Sequence, residues 1–134
     1  MDYFDTDVLI DLLVNQTPNQ HLRINDLIEE VVKANRFLIS WLSIQETGFV
    51  LAKLDQPIAF ISSKLTALIS SLPVEYGLVE FTRAMELAKV IGFKDSNDCL
   101  HTAIAEQNCS DFYTCNYRDF KRIQPLTSLN IHFL

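Results

Sequence analysis

Apolar and polar positions follow two different periods along the chain, and these periods predict an order of strands and helices. Short, compact apolar runs predict five strands, at residues 3–7, 36–40, 73–77, 111–115 and 129–134. Apolar positions at helical spacing predict helices at residues 7–15, 21–34, 43–54, 57–72, 78–91 and 96–108, with a helical turn at 117–123. Pro57 and Gly92 support two of these boundaries, because proline favours the first helical position and glycine the position after the last.

Strands that alternate with helices or helical hairpins predict an α/β domain with a mostly parallel central sheet. In such a sheet, functional sites form outside the carboxyl ends of the strands. Asp5 and Asp7 lie at that end of the first predicted strand, inside an otherwise apolar segment. A buried carboxylate is costly unless it is hydrogen-bonded, paired or bound to a metal. The two acids therefore need a partner that the strand itself does not supply.

Three further acids each lie three residues after a candidate helix N-cap. The pairs are Ser43 with Glu46, Asp95 with Asp98, and Asn116 with Asp119. This spacing resembles a capping box, and each acid could act only as a cap, worth roughly 0.3–1 kcal/mol. Carboxylates that converge on one sheet edge would repel each other, by on the order of 4 kcal/mol for two charges about 4 Å apart. A divalent cation such as Mg²⁺ or Mn²⁺ would offset that repulsion, so capping and metal binding are compatible roles.

Composition narrows the class of protein. The chain has 134 residues, 49% of them hydrophobic, which is enough for one compact domain and its core. Its net charge of −6 argues against binding nucleic acid by broad charge neutralisation, but permits an enzyme with a local basic rim. We expect no membrane span and no signal peptide. Three cysteines without metal-type spacing favour free thiols and a cytoplasmic location.

Four segments resemble, in this order, the acidic motifs of PIN-domain ribonucleases, and most of all those of the VapC-type toxins of type II toxin–antitoxin systems. The segments are FDTDVLIDLL, SIQETGFVL, NDCLHTAIAEQN and YTCNYRDFKRI. The resemblance covers nearly the whole chain. It implies one PIN-like nuclease domain over residues 1–134, in a three-layer fold with four or five strands and helices on both faces.

Matched by position, the resemblance implies that Asp5, Glu46 and Asp98 bind Mg²⁺ or Mn²⁺, while Asn116 and Asp119 orient water, phosphate or a second ion. Two positions depart from the family pattern. The first acid usually has an asparagine as companion where this chain has Asp7, and the fourth acidic position is the amide Asn116. Three further residues are additional candidates: Asp7 either caps the following helix or joins the site, Asp95 either substitutes in the site or caps, and Thr114 precedes Asn116.

The activity implied is that of a metal-dependent endoribonuclease, in which metal-activated water hydrolyses RNA phosphodiester bonds. Arg118, Lys121 and Arg122 form the basic cluster nearest the predicted site, where they either contact RNA phosphates or form a solvated surface. The implied partners are an RNA substrate, a cognate antitoxin and a second copy of the chain. The apolar helices at 43–54 and 57–72 are consistent with a dimer seam or a groove for a partner segment.

Two other functions remain open from the sequence. The segment DTDV also looks like the first motif of haloacid dehalogenase-type phosphatases, with Asp5 as nucleophile and Asp7 as general acid or base. The second is a non-catalytic module that keeps the PIN fold and uses its groove for partner recognition. His101 lies near Asp98 on a predicted helix, where it either reaches the site or is a packed or exposed histidine, and the second interpretation is preferred.

Overall fold

The computed structural model describes all residues from 1 to 134 and contains four strands and seven α-helices. Their bounds are β1 (Asp2–Phe4), α1 (Thr6–Leu13), α2 (Pro18–Lys33), β2 (Phe37–Leu38), α3 (Trp41–Lys53), α4 (Ile58–Ile69), α5 (Leu78–Ile91), α6 (Ser96–Asn108), β3 (Asp111–Thr114), α7 (Tyr117–Ile123) and β4 (Asn130–Phe133). The predicted order of strands and helices is confirmed, except for the strand at 73–77. None of the helices combines the length and the apolar composition needed to cross a bilayer.

The four strands form one parallel sheet in the order β2-β1-β3-β4. Successive side chains of a strand point to opposite faces, and β1 shows this directly. Tyr3 belongs to a core formed with α5, α6 and α7, whereas Phe4 belongs to a second core formed with α1, α2 and α4. Helix α3 contributes residues to both cores. The result is the predicted three-layer α/β fold, with helices on both faces of the sheet.

The predicted strand at 73–77 is wrong, because this segment makes only one β-bridge, between Ser40 and Val74. Val74 donates its N–H to the carbonyl of Ile39 at 2.9 Å and accepts from the N–H of Trp41 at 3.1 Å. Pro73, which precedes Val74, has no N–H to extend the ladder, so the pairing stops after one residue.

Four helix starts differ from the predicted positions, and the differences at α1 and α3 bear on the acids. Strand β1 ends at Phe4, so Asp5 is the N-cap of α1 and Asp7 lies in the first turn of that helix rather than in a strand. Helix α3 begins at Trp41 with Ser40 as its N-cap, and the Ser40 and Ser43 side chains bond reciprocally to each other's backbone N–H groups. The predicted Ser43–Glu46 capping pair is therefore wrong, and Glu46 lies one turn further into the helix.

Candidate metal centre

A cleft of about 320 Å³ opens at the carboxyl edge of the sheet, where β1 and β3 end. Five carboxylates line it, and the polar side chains of Thr6, Gln16 and Asn116 complete most of the wall. The acids are Asp5, Asp7, Asp11, Glu46 and Asp98. Three different helices and the end of a strand bring them together, so the convergence of Asp5, Glu46 and Asp98 expected from the sequence is present in the fold.

Asp5 is the most enclosed of these acids, with 5% of its surface exposed. Its Oδ1 accepts the backbone N–H of Thr6 at 2.8 Å, as expected for an N-cap, and its Oδ2 accepts the Thr114 hydroxyl at 2.9 Å. Burial raises the pKa of Asp5 above its usual value, although the nearby His101 and the two donors act in the opposite direction. The position of this carboxylate is thus fixed from both sides.

Asp7 does not cap α1, because that role belongs to Asp5. Its carboxylate instead crosses to the end of β3, where it accepts the backbone N–H of Cys115 at 3.2 Å and contacts the Thr114 hydroxyl at 3.3 Å. Burial and the charge of Asp5 raise the pKa of Asp7 to about 7. Of the two alternatives left open by the sequence, the structure therefore places Asp7 in the cleft.

Glu46 reaches the cleft from the second turn of α3 and is held by three donors. Its Oε1 accepts the Thr6 hydroxyl at 2.7 Å and a short hydrogen bond from Nε2 of His101, while its Oε2 accepts the side-chain amide of Asn97 at 2.9 Å. Burial alone would raise the pKa of Glu46, but the hydrogen bond and charge of His101, with the other two donors, hold it below its usual value. Glu46 is therefore an ionised carboxylate at neutral pH.

Asp98 lies in the first turn of α6, and no side chain or backbone N–H donates a hydrogen bond to its carboxylate. Burial and the charge of Asp5 raise the pKa of Asp98 to about 8, with further contributions from Asp119 and Asp95. Ligand atoms of Asp95, Asp98 and Asp119 lie within 4.8 Å of one another. Asp98 thus belongs both to the cleft and to a smaller group of acids beside it.

The two candidate caps near Asp98 behave differently. Asn116 caps α7 as predicted, because its Oδ1 accepts the N–H of Asp119 at 3.2 Å and its amide donates to the Asp119 carboxylate at 3.0 Å. Asp95 occupies the N-cap position of α6, but its side chain makes no capping bond. The Asp95 carboxylate forms an ion pair with Arg122 at 3.0 Å instead, so an arginine of the same chain balances its charge.

The three residues of the basic cluster also differ in their contacts. Arg122 bonds Asp95 and also donates to the backbone carbonyl of Ile91 at the end of α5, so both ends of its guanidinium are occupied. Lys121 lies over the ring of Tyr117, with 5.4 Å from its Nζ to the ring centroid, and Arg118 is exposed without a bonded acid. Arg118 and Lys121 remain available to a ligand, whereas Arg122 ties two helices together.

His101 reaches Glu46 and Asp5, the alternative to which the sequence interpretation gave less weight than to a packed or exposed histidine. His101 is buried, as expected for a packed histidine. Its Nε2 also bonds Glu46 and lies 3.6 Å from Oδ1 of Asp5. Its Nδ1 lies 2.7 Å from the hydroxyl of Tyr3. A signal existed in the sequence, because His101 follows Asp98 by three residues and so shares its helix face.

The side chains in the cleft match the ligands that a hard divalent cation requires. Asp5, Glu46 and Asp98 offer carboxylate oxygens, and Asn116 adds an amide oxygen nearby. Mg²⁺ and Mn²⁺ prefer such oxygen ligands and keep several waters, which an open cleft of this size can hold. The Asp98 carboxylate also lacks a protein donor, so a cation would supply the partner that the fold does not.

Comparison with known proteins gave one family and one fold. A family model described as PIN domain matches residues 3–125 of this chain. Among solved structures, that of VapBC2 from Rickettsia felis bound to a DNA fragment from their promoter matches with a TM-score of 0.75 and 21% sequence identity, over 100% of this chain and 99% of that chain. At this identity the match establishes a shared fold. No match was found among curated proteins.

Proposed function

Since this chain belongs to the PIN domain family, whose members are generally nucleases, we propose that it is a Mg²⁺- or Mn²⁺-dependent endoribonuclease and the toxin of a toxin–antitoxin pair. We take residues 1–134 as one such nuclease domain. The observation that carries the proposal is the cleft in which Asp5, Glu46 and Asp98 converge from three separate elements. Capping and packing alone give no reason to bring these charges together.

The contacts of the individual residues support a role for each. Asp5, Glu46 and Asp98 would hold the cation, and when bound it would supply Lewis-acid activation of water and of the phosphate. The paired side chains of Asn116 and Asp119 would orient water or phosphate at the rim, with Thr114 fixing Asp5.

The exposed Arg118 and Lys121 would contact RNA phosphates, which position the substrate without reading its bases. Both residues belong to α7, the helix that Asn116 caps, and Asn116 lines the cleft. This local basic segment is compatible with the net charge of −6, because it needs to neutralise only a few phosphates.

An RNA cleavage assay with added Mg²⁺ or Mn²⁺ tests this function. Asp5→Asn and Asp98→Asn each remove a carboxylate and should lower cleavage by at least about 100-fold while the protein stays folded. Asp111→Asn is the matched control, because Asp111 begins β3 at the opposite edge of the sheet and pairs there with His132. If the wild-type protein cuts no RNA and binds no Mn²⁺, the non-catalytic binding module is the better interpretation.

The toxin role rests on the fold shared with VapBC2 and on an apolar surface beside the cleft. A groove of about 660 Å³ is lined mainly by apolar side chains of α3, α5 and α6, and Glu46 is part of its wall. Ile58 on α4 and Leu78 on α5 are 88% and 84% exposed, so large apolar side chains of these helices stay uncovered in the single chain.

We propose that an antitoxin segment and a second copy of the chain cover these apolar surfaces, and that the complex works in the cytoplasm. Sedimentation of the purified chain alone and with a co-expressed antitoxin would test this. A chain that stays monomeric, and whose RNA cleavage the antitoxin leaves unchanged, would contradict it.

The phosphatase alternative has no support in the structure. Both oxygens of Asp5 already accept hydrogen bonds, and only 5% of the residue is exposed, which leaves it poorly placed to attack a phosphate. Membership of the PIN domain family also separates the chain from that class. The absence of phosphorylation at Asp5 during turnover would agree with this conclusion.

A further inference from the structure

Protein donors occupy most of the acceptor sites of the Glu46 carboxylate. A carboxylate offers about four acceptor sites, two on each oxygen. Thr6 and His101 occupy both sites of Oε1, and Asn97 occupies one site of Oε2. One acceptor site of Glu46, on Oε2, is therefore left without a protein donor.

The donor from His101 is anchored by a buried chain of hydrogen bonds. Tyr3 Oη lies 2.7 Å from His101 Nδ1 and 2.7 Å from Ser40 Oγ, and all three residues are buried. Ser40 also caps α3, the helix that carries Glu46. This series of hydrogen bonds thus connects β1 and α6 with the N-cap of α3 and with its second turn, which carries Glu46.

The contacts of His101 show that its Nε2 carries a proton. An ionised carboxylate can only accept, so Nε2 of His101 must carry a proton toward Glu46. The hydroxyl of Tyr3 can either donate to or accept from Nδ1, and Ser40 can complete the chain in both cases. The donor at Nε2 is therefore present whichever form the ring takes.

We propose that His101 is a positioning residue for Glu46: by holding Oε1 it fixes the carboxylate whose remaining acceptor site would bind the cation. This inference rests on the proposed metal-dependent function. Partners of this kind, which orient a ligand without touching the metal, typically change metal affinity by about 10–100-fold when they are removed.

Two amide variants separate the contact to Glu46 from the contact to Tyr3. In His101→Gln the side-chain nitrogen lies as many bonds from Cα as Nε2 does, so it can still donate to Glu46. In His101→Asn the amide matches the position of Nδ1, so it reaches Tyr3 and not Glu46. Both variants are neutral, and any difference between them reports the hydrogen bond rather than the charge of the ring.

The measurement is the Mn²⁺ dissociation constant, obtained by calorimetry without RNA. We expect His101→Asn to bind Mn²⁺ at least about 10-fold more weakly than His101→Gln. Equal affinities in two folded variants would overturn the inference while leaving the nuclease proposal intact, since the wild type still binds. A wild-type protein that binds no Mn²⁺ would overturn both. The same pair of substitutions at His132, which bonds Asp111 away from the cleft, should give equal affinities.

Two further measurements decide the matter if the Asn variant does not fold. Tyr3→Phe keeps the ring stacked on Phe112 but removes the hydroxyl, and we expect it to weaken Mn²⁺ binding by about threefold or more. An unchanged affinity would overturn the proposal. In the metal-free wild type, the Nε2–H proton of His101 should exchange slowly in nuclear magnetic resonance spectra and become fast in Glu46→Ala. A proton that exchanges fast in both proteins would count against it.

Discussion

The hydroxyl of Thr114 donates to Oδ2 of Asp5 across 2.9 Å, and this bond joins the ends of two neighbouring parallel strands. The same hydroxyl accepts the backbone N–H of Asn116 at 3.0 Å and contacts Asp7 at 3.3 Å. Thr114 is fully buried. One small side chain therefore fixes the most enclosed carboxylate of the cleft to the turn that leads into α7.

Replacing Thr114 with valine should disturb the site without changing its shape. The valine fills the same volume but leaves the Oδ2 of Asp5 without its donor, which costs about 1–3 kcal/mol of folding stability. Mn²⁺ affinity should fall by about 10-fold or more, because Asp5 loses a fixed orientation. Calorimetry and thermal unfolding measure the two effects. Thr114→Ser keeps the hydroxyl and should stay near wild type, so a serine variant as weak as the valine variant would contradict this role.

The metal-free protein should lose stability as the pH rises from about 5 to about 8. Burial and the charge of Asp5 raise the pKa of Asp98 to about 8, so over this range the folded protein holds a proton that the unfolded chain has released. Raising the pH therefore favours unfolding. Asp7, with a pKa raised to about 7 by burial and by Asp5, acts in the same direction, as does His101, whose pKa is also raised.

Asp98→Asn removes one of these ionisations and should make the metal-free protein roughly 1–2 kcal/mol more stable at pH 8. Unfolding curves in the presence of a chelator, recorded at several pH values, would show a smaller decline than in the wild type. Asp111→Asn should leave the decline unchanged, because the pKa of Asp111 is lowered by its bond to His132. A wild-type stability that rises over this range would be inconsistent with the raised pKa values.

The comparison of Glu46 with Asp98 shows what the sequence could predict about the acids. The sequence predicts Asp98 at the third position of its helix, and the structure agrees, because Asp95 and Ser96 mark the start of α6. The predicted position of Glu46 is wrong, because two serines could start α3 and the burial of Ser40 inside the fold decides between them. The convergence of the acids was still predicted, since it depends on the order of strands and not on exact helix ends.

Contacts between distant elements account for the rest. His101 reaches Glu46, 55 residues away in sequence, through the packing of α6 against the end of the sheet. The pairing of Arg122 with Asp95 likewise joins α7 to the start of α6. Neither contact leaves a local pattern in the sequence beyond a shared helix face, so the sequence indicates which residues carry charge but not which charges are already paired.

Arg118 and Arg122 should therefore respond differently to the same substitution. Arg122→Gln breaks the pair with Asp95 and the bond to Ile91, and should lower stability by about 0.5–1.5 kcal/mol. Arg118→Gln should leave stability unchanged and weaken RNA binding. The slope of the logarithm of the binding constant against the logarithm of the salt concentration should fall in magnitude by about 0.7 for one lost phosphate contact. Binding measured at several salt concentrations in the Asp98→Asn background separates the two effects. The opposite assignment of the two phenotypes would mean that Arg122 is the RNA contact.

Asp7 is the residue at which this chain departs from the asparagine expected by family resemblance, and Asp7→Asn tests the cost of that departure. The amide oxygen can accept the N–H of Cys115 as the carboxylate does, so the turn after β3 should stay in place. Removing the charge relieves the repulsion with Asp5, and we expect about 1 kcal/mol more stability at pH 8 in the metal-free protein.

RNA cleavage by Asp7→Asn should remain within a fewfold of wild type, because the acceptor is retained and Asp5, Glu46 and Asp98 are untouched. Asp7→Leu is the matched variant without an acceptor, and it should lose stability by about 1–3 kcal/mol as the buried N–H of Cys115 loses its partner. Cleavage rates and unfolding curves of the two variants give the comparison. If Asp7→Asn abolishes cleavage as completely as Asp98→Asn does, the charge of Asp7 is itself needed to hold the cation, and the asparagine of the family is replaced here by a further metal ligand.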